Sequence, residues 1–139
     1  VSIPGLPSLP TMSALPLVLI SALFGGLGAA ARVTMILLCT ERHGLPLRWT
    51  ILIVNLSGSA CAGACTAAFT RVDPNGIAHA AVIGGILGGF TTFSSFAIEC
   101  IEQWQRGARR RAVLYSVGSL AGCAIAAWIG FEILRRLWP

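Results

Sequence analysis

Residues 84–96 read Gly84-Gly85-Ile86-Leu87-Gly88-Gly89-Phe90-Thr91-Thr92-Phe93-Ser94-Ser95-Phe96. Two glycine pairs one turn apart, then four hydroxyl side chains, fall inside a run without Arg, Asp or Glu from Gly76 to Ile98. Glycine is a poor helix former, and Ser and Thr side chains compete for backbone groups. An unbroken helix is therefore not expected here. In hydrocarbon a broken helix is tolerated only where the freed backbone groups face protein, an ion or water. The stretch predicts a membrane helix interrupted near its middle.

Working outward, three more runs lack charge: Val1 to Ala31, Thr50 to Thr70 and Ala112 to Phe131. Crossing a hydrocarbon core of about 30 Å takes about 20 helical residues, which each run supplies. The reading is an all-α integral membrane protein of four transmembrane helices, at about 15–39, 49–69, 77–101 and 112–134, the third broken mid-membrane. The 139 residues make a single four-span membrane domain, with no extramembrane domain, linker or strong internal repeat. With 55% apolar and 11% charged residues, an ordinary soluble domain is excluded.

The boundaries carry turn chemistry. The first span ends in the polar turn Thr40-Glu41-Arg42-His43-Gly44, the second opens at Trp49, a headgroup-level residue, and Arg71-Val72-Asp73-Pro74-Asn75-Gly76 closes it. Residues Gln103 to Arg111 separate spans three and four, and Arg135, Arg136 and Trp138 end the last. Val1 to Pro10 has three prolines and no basic start, which makes it an irregular lead-in and a poor secretory signal.

All ten basic residues are arginines, against five acids. They sit between and after the apolar runs, where anionic headgroups and topology account for them, and no basic groove with interleaved aromatics points to nucleic acid. Cys39, Cys61, Cys65, Cys100 and Cys123 lack metal-ligand spacing and read as reduced packing residues. No residue pattern suggests catalysis, so the chain is not read as an enzyme.

Several residues within the spans admit two readings each. Asn55 lies early in the second span beside Ser57, Gly58, Ser59 and Gly63, as a helix-to-helix hydrogen bond or as a pore-lining amide. Phe93 and Phe96 share a helix face, as core bulk or as electropositive ring edges that, with hydroxyls such as Ser95, line a path for a small anion. Tyr115 and Ser119, one turn apart, bond back to their own backbone or form a hydroxyl file facing water. Arg32, well inside the first span, snorkels to the interface or draws anions into a vestibule. Glu99 and Glu102 read as interface charges at the end of the third span.

Three stretches in order resemble the Fluc family of fluoride channels, also called CrcB: Gly25-Gly26-Leu27-Gly28-Ala29-Ala30-Ala31-Arg32, Val54-Asn55-Leu56-Ser57-Gly58-Ser59, and Gly88 through Phe96. The resemblance covers the chain from Leu15 onward. It implies a dual-topology, antiparallel homodimer in the cell membrane, a bacterial inner or plasma membrane, with two paths that let fluoride leave passively and a structural sodium ion at the dimer centre. Asn55 would be the pore amide, Phe93 and Phe96 the facing ring edges, Ser95, Ser119 and Tyr115 part of the polar lining, and Arg32 a vestibule charge. Gly88 and Thr91 would offer backbone carbonyls to the sodium. Three positions depart from the family pattern: Val33 stands where an aromatic usually follows the arginine, Cys123 where a serine is expected, and Ala97 where Phe96 is usually followed by serine.

Fluoride is small and strongly hydrated, so a pore must replace its water with hydrogen-bond donors. The sequence carries no ATP-binding loop, which points to movement down a gradient. A small proton-coupled multidrug exporter, also a four-span dimer, would need a carboxylate in mid-span, and the first span has none. A non-transporting membrane subunit would not need polar residues clustered at one depth in spans two, three and four. Six arginines (Arg42, Arg48, Arg106, Arg109, Arg110, Arg111) fall on one side and three (Arg71, Arg135, Arg136) on the other. That bias favours an outside N-terminus, against which the expectation of both orientations is set.

Overall fold

The computed structural model describes residues 15–72 and 76–138, and every element in it is helical. The lead-in of residues 1–14 and the turn residues 73–75 lie outside the described residues. Four segments are long and apolar enough to cross a membrane: Leu15–Arg42, Leu47–Val72, Ile77–Gln105 and Arg109–Leu137. We label the first two α1 and α2. The third comprises α3 (residues 77–90) and α4 (Phe93–Gln105), and the last is α5.

Each helix runs past the apolar stretch that announced it. Hydropathy marks the length that water rejects, whereas backbone bonding continues through polar flanks until a residue stops it. At the end of α1, Thr40 and Glu41, expected in a turn, are still helical in a widened last turn over Leu38–Arg42. Thr40 Oγ1 returns its proton to Ile36 C=O at 2.7 Å. The helix stops at Gly44, whose φ of 63° only glycine adopts without strain, and the amides of Gly44 and Leu45 close on Thr40 and Cys39 C=O. The link between the third and fourth spans likewise shrinks to Arg106, Gly107 and Ala108.

Two helix pairs organise the bundle: α1 against α3, and α2 along the length of α5. Both rest on bare backbone. A Cβ on Gly28 would fall on Ile86 C=O, and one on Gly89 on Gly25 C=O. Across the other pair, a Cβ on Gly63 would fall on Ala127 C=O and one on Gly130 on Ala60 C=O. Small residues let membrane helices approach closely where lipid tails offer no hydrophobic drive to pack them. The small enclosed core contains Ile51, Val54 and Ala67 of α2, Phe96 of α4 and Ala112 of α5. Leu19, Leu23, Leu27, Val117 and Leu120 are among many large apolar side chains left outside.

The third span leaves helical geometry where the glycine pairs end and the hydroxyls begin. Helical dihedrals persist to Phe90, Thr91 and Thr92 take ψ values of 155° and 115°, and helix resumes at Phe93. Gly58 of α2 makes room for this segment: a Cβ there would lie 2.5 Å from Thr91 Cγ2.

Candidate functional site

Asn55 and Thr92 hold the interruption in place. Thr92 N–H donates to Asn55 Oδ1 at 2.8 Å, and Asn55 Nδ2 donates to Thr92 C=O at 3.0 Å. The carboxamide thus stands in for a neighbouring backbone, satisfying the donor and acceptor of a residue only 5% exposed. Thr92 then caps α4, its Oγ1 accepting from Ser95 N–H at 3.2 Å and donating to Ser95 Oγ at 3.0 Å.

These bonds have a consequence for two carbonyls. In a continuous helix Gly88 C=O would accept from Thr92 N–H and Thr91 C=O from Ser95 N–H. Both amides are diverted, one to Asn55 Oδ1 and the other to Thr92 Oγ1. Thr91 itself keeps its bonds to Leu87 C=O, through N–H and Oγ1, both at 2.9 Å. Gly88 and Thr91 therefore present backbone oxygens released from the helical ladder.

Beside the interruption lies a cavity of about 230 Å³, lined by Asn55, Ser59, Thr91, Thr92, Phe93, Phe96, Ser119 and Cys123 among others. Phe93 and Phe96 are 5.7 Å apart between ring centres and tilted by 48°. Phe96 is 8% exposed, whereas Phe93 is 75% exposed and its ring is uncovered within one chain. The aromatic file continues from Phe96 to Tyr115, again at 5.7 Å.

Tyr115 opens on a second, larger cavity of about 540 Å³, whose lining includes Arg48, Trp49, Gln103, Arg111, Tyr115 and Ser119. Ser119 belongs to both cavities. It is 5% exposed, and its Oγ has no hydrogen-bond partner at normal distance. A buried hydroxyl without a partner at normal distance is costly, and this one sits on a residue that lines both cavities. Neither lining contains a carboxylate, while the larger holds two guanidinium groups. The pair of cavities suits an anion.

Of the residues singled out in the sequence, Asn55, Phe93, Phe96, Ser119 and Thr91 come together at the smaller cavity. Tyr115 faces the larger one, its hydroxyl donating to Arg48 C=O at 3.1 Å. Ser95 lies behind the lining as a partner of Thr92. Gly88 is one helical turn before Thr92 and lines neither cavity, and neither does Arg32, whose Nε is buried without a partner on α1. Asn55 makes its hydrogen bonds across to Thr92 and also lines the smaller cavity.

Sequence reasoning overlooked Thr92, Arg48 and Arg111. The signal was present as helical spacing. Arg48, Leu52, Asn55 and Ser59 recur at i, i+4, i+7 and i+11 on one face of α2, and Arg111, Tyr115, Ser119 and Cys123 recur every fourth residue on α5. Both stripes begin with arginine at the wide cavity and reach the narrow one.

Residues 19–131 match the family described as CrcB-like protein, Camphor Resistance (CrcB). The chain belongs to this family. Similar proteins named fluoride-specific ion channel FluC include one from Chelativorans sp., 32% identical over 114 residues, covering 81% of this chain and 91% of that protein. Another, from Opitutus terrae, is 37% identical over 112 residues, covering 78% and 85%. A third, from Sphingopyxis alaskensis, is 36% identical over 114 residues, covering 81% and 90%. With four apolar spanning helices and ion-channel relatives, this CrcB family member is a multi-pass membrane protein.

Proposed function

We propose that the chain is the subunit of a passive fluoride channel in the cell membrane, working as an antiparallel, dual-topology homodimer with two paths. The observation that carries this reading is the carboxylate-free pair of cavities that share Ser119 in their linings, in a chain similar to proteins named fluoride-specific ion channels. Arg48 and Arg111 form the wide mouth and raise the local anion concentration. Ser119 and the Asn55 N–H left over from Thr92 then donate to the ion, while the Phe93 and Phe96 ring edges hold it without a full charge, so that it enters and leaves. Arg32, outside both linings, serves the opposite mouth in this scheme. The exposed Phe93 ring fits a path completed by a second subunit.

The carbonyls of Gly88 and Thr91 suit a hard cation because their helical amides are engaged elsewhere. Those residues from each subunit would hold a sodium ion at the two-fold axis. When bound, the ion supplies positive charge that ties the two interruptions together. The chain's own part is to keep the oxygens free, through Asn55 and the Thr92 hydroxyl.

Purified protein alone in liposomes, with fluoride inside and a potassium diffusion potential imposed, tests the function. Potential-driven efflux of fluoride without a proton gradient, with chloride far slower, is the expected result. Transport that requires a proton gradient would replace the channel with an exporter, and no transport would leave a non-transporting subunit.

A further inference from the structure

Between α4 and α5 lies a groove of about 420 Å³ that shares no lining residue with either candidate path cavity. Ile101 and Trp104 form one wall, and Ala112, Val113 and Val117 the other. Its polar floor is already satisfied, since Ser116 Oγ donates to Ala112 C=O at 2.8 Å and lies 3.1 Å from Cys100 Sγ. Apart from Gln105, the groove therefore presents an apolar surface. Arg109 stands at its end, on the same face of α5 as Ala112, Val113 and Val117, with its guanidinium 5.4 Å from the centre of the Trp104 ring. From Arg109 to Val117 the groove runs about 12 Å along the axis, at 1.5 Å per residue.

We infer that this groove holds an acyl chain of an anionic phospholipid whose phosphate is gripped by Arg109. The inference rests on the chain being a membrane protein and not on what it conducts. Trp and Arg side by side mark the headgroup level, so the apolar walls below them lie at the depth of acyl chains. The charge balance selects the headgroup. Arg106 is neutralised by Glu102 at 2.8 Å, whereas Arg109, Arg110 and Arg111 have no carboxylate partner among the described residues. A second copy of the chain has little to offer them. Of the four described carboxylates, Glu99 is engaged by Gln103, Glu102 by Arg106, and Glu132 by Arg135 and Arg136, which leaves Glu41 alone. A phosphate over an apolar tail satisfies both the unpaired charge and the groove.

The test uses the full chain with Trp104 as its one tryptophan, through W49F, W128F and W138F, in phosphatidylcholine vesicles. Quenching of Trp104 is compared between phosphatidylglycerol and phosphatidylcholine with brominated acyl chains at equal mole fraction. Phosphatidylglycerol is expected to bind about fivefold more tightly, the contribution of one arginine near an anionic surface. R109Q should abolish that preference, R106Q should keep it, and filling the groove with V113F or V117F should reduce quenching by both lipids. Because the preference is a ratio within each variant, loss of the Arg109 stack on Trp104 does not mimic it. Equal quenching by the two lipids in the parent, or a preference that survives R109Q, overturns the phosphate grip. Absence of quenching by either chain overturns the groove as a lipid site and assigns it to a protein partner.

Discussion

Before the interruption of the third span, α3 lies backbone to backbone on α1, with Gly85 and Gly89 set against Phe24 and Gly25 and Gly28 set against Ile86. A side-chain bond from Ser21 Oγ to Ala80 C=O at 3.1 Å also joins the two helices. After the interruption, α4 is fixed through polar side chains: Asn55 clamps Thr92, and Thr92 caps the helix. It carries Phe93, whose ring stands uncovered. The first half is positioned by shape, which tolerates no added atom. The second is positioned by directional bonds, which leave its apolar faces free for an ion path, lipid or a partner. A single span thereby combines a rigid support with a functional half.

Substitutions can break this contrast, beginning where shape decides. Gly28→Val places a side chain on Ile86 C=O, and overpacking against backbone should cost about 3 kcal/mol or more. Loss of monodisperse protein in size-exclusion chromatography is expected, whereas Gly26→Val, with open space at its Cβ, should purify normally. If both behave alike, close approach is not what positions α3.

Next in size is Asn55→Leu, which leaves Thr92 N–H and C=O without partners at about 1–3 kcal/mol each. Thermal unfolding should shift down and fluoride efflux should fall at least tenfold, about 1.4 kcal/mol in barrier terms. A variant with normal stability and lost efflux would make Asn55 a purely ion-contacting residue.

Phe93→Ile and Phe96→Ile test the second half without touching its anchors. Both should fold and lose most fluoride throughput, since apolar bulk remains while the electropositive ring edge is gone. Near-normal efflux in both would reduce the rings to packing.

Exchanging sodium for a large organic cation over a prolonged period should weaken the dimer and slow efflux together. Thr91→Ser should retain both properties, because the proposed ligand there is a backbone oxygen. Unchanged dimer stability and efflux after depletion would remove the cation from the scheme.

The smallest effect is expected for Ser119→Ala. It removes a buried hydroxyl that has no partner at normal hydrogen-bond distance, so thermal stability should hold or rise slightly while the fluoride rate drops several-fold. A loss of stability would mean that the hydroxyl has a structural bond in the assembled protein.

Much of the architecture was legible in the chain because a membrane enforces a simple rule: apolar runs of helical length and charged boundaries give the number and order of the spans. The helix ends were less legible, as Thr40 and Glu41 illustrate, because side-chain back-bonding and a glycine cap decide them rather than polarity. Among the site residues, Asn55, Phe93, Phe96 and Ser119 stood out because polar or aromatic groups in apolar runs are conspicuous. Arg48 and Arg111 did not, because at the ends of spans they look like ordinary boundary charges until α2 and α5 are seen to share a cavity.

The sequence by itself determined four membrane-crossing helices and a third span whose glycines and hydroxyls oppose continuity, since composition and local backbone preference act on neighbours along the chain. Only the tertiary structure decided that Thr92 is the pivot of the interruption, that its partner is Asn55 thirty-seven residues away, and that Ser119 lines two cavities. Those relations depend on which faces of α2, α4 and α5 meet. Small residues that permit close approach are scattered through all four spans, so their order in the sequence does not specify which of them come together.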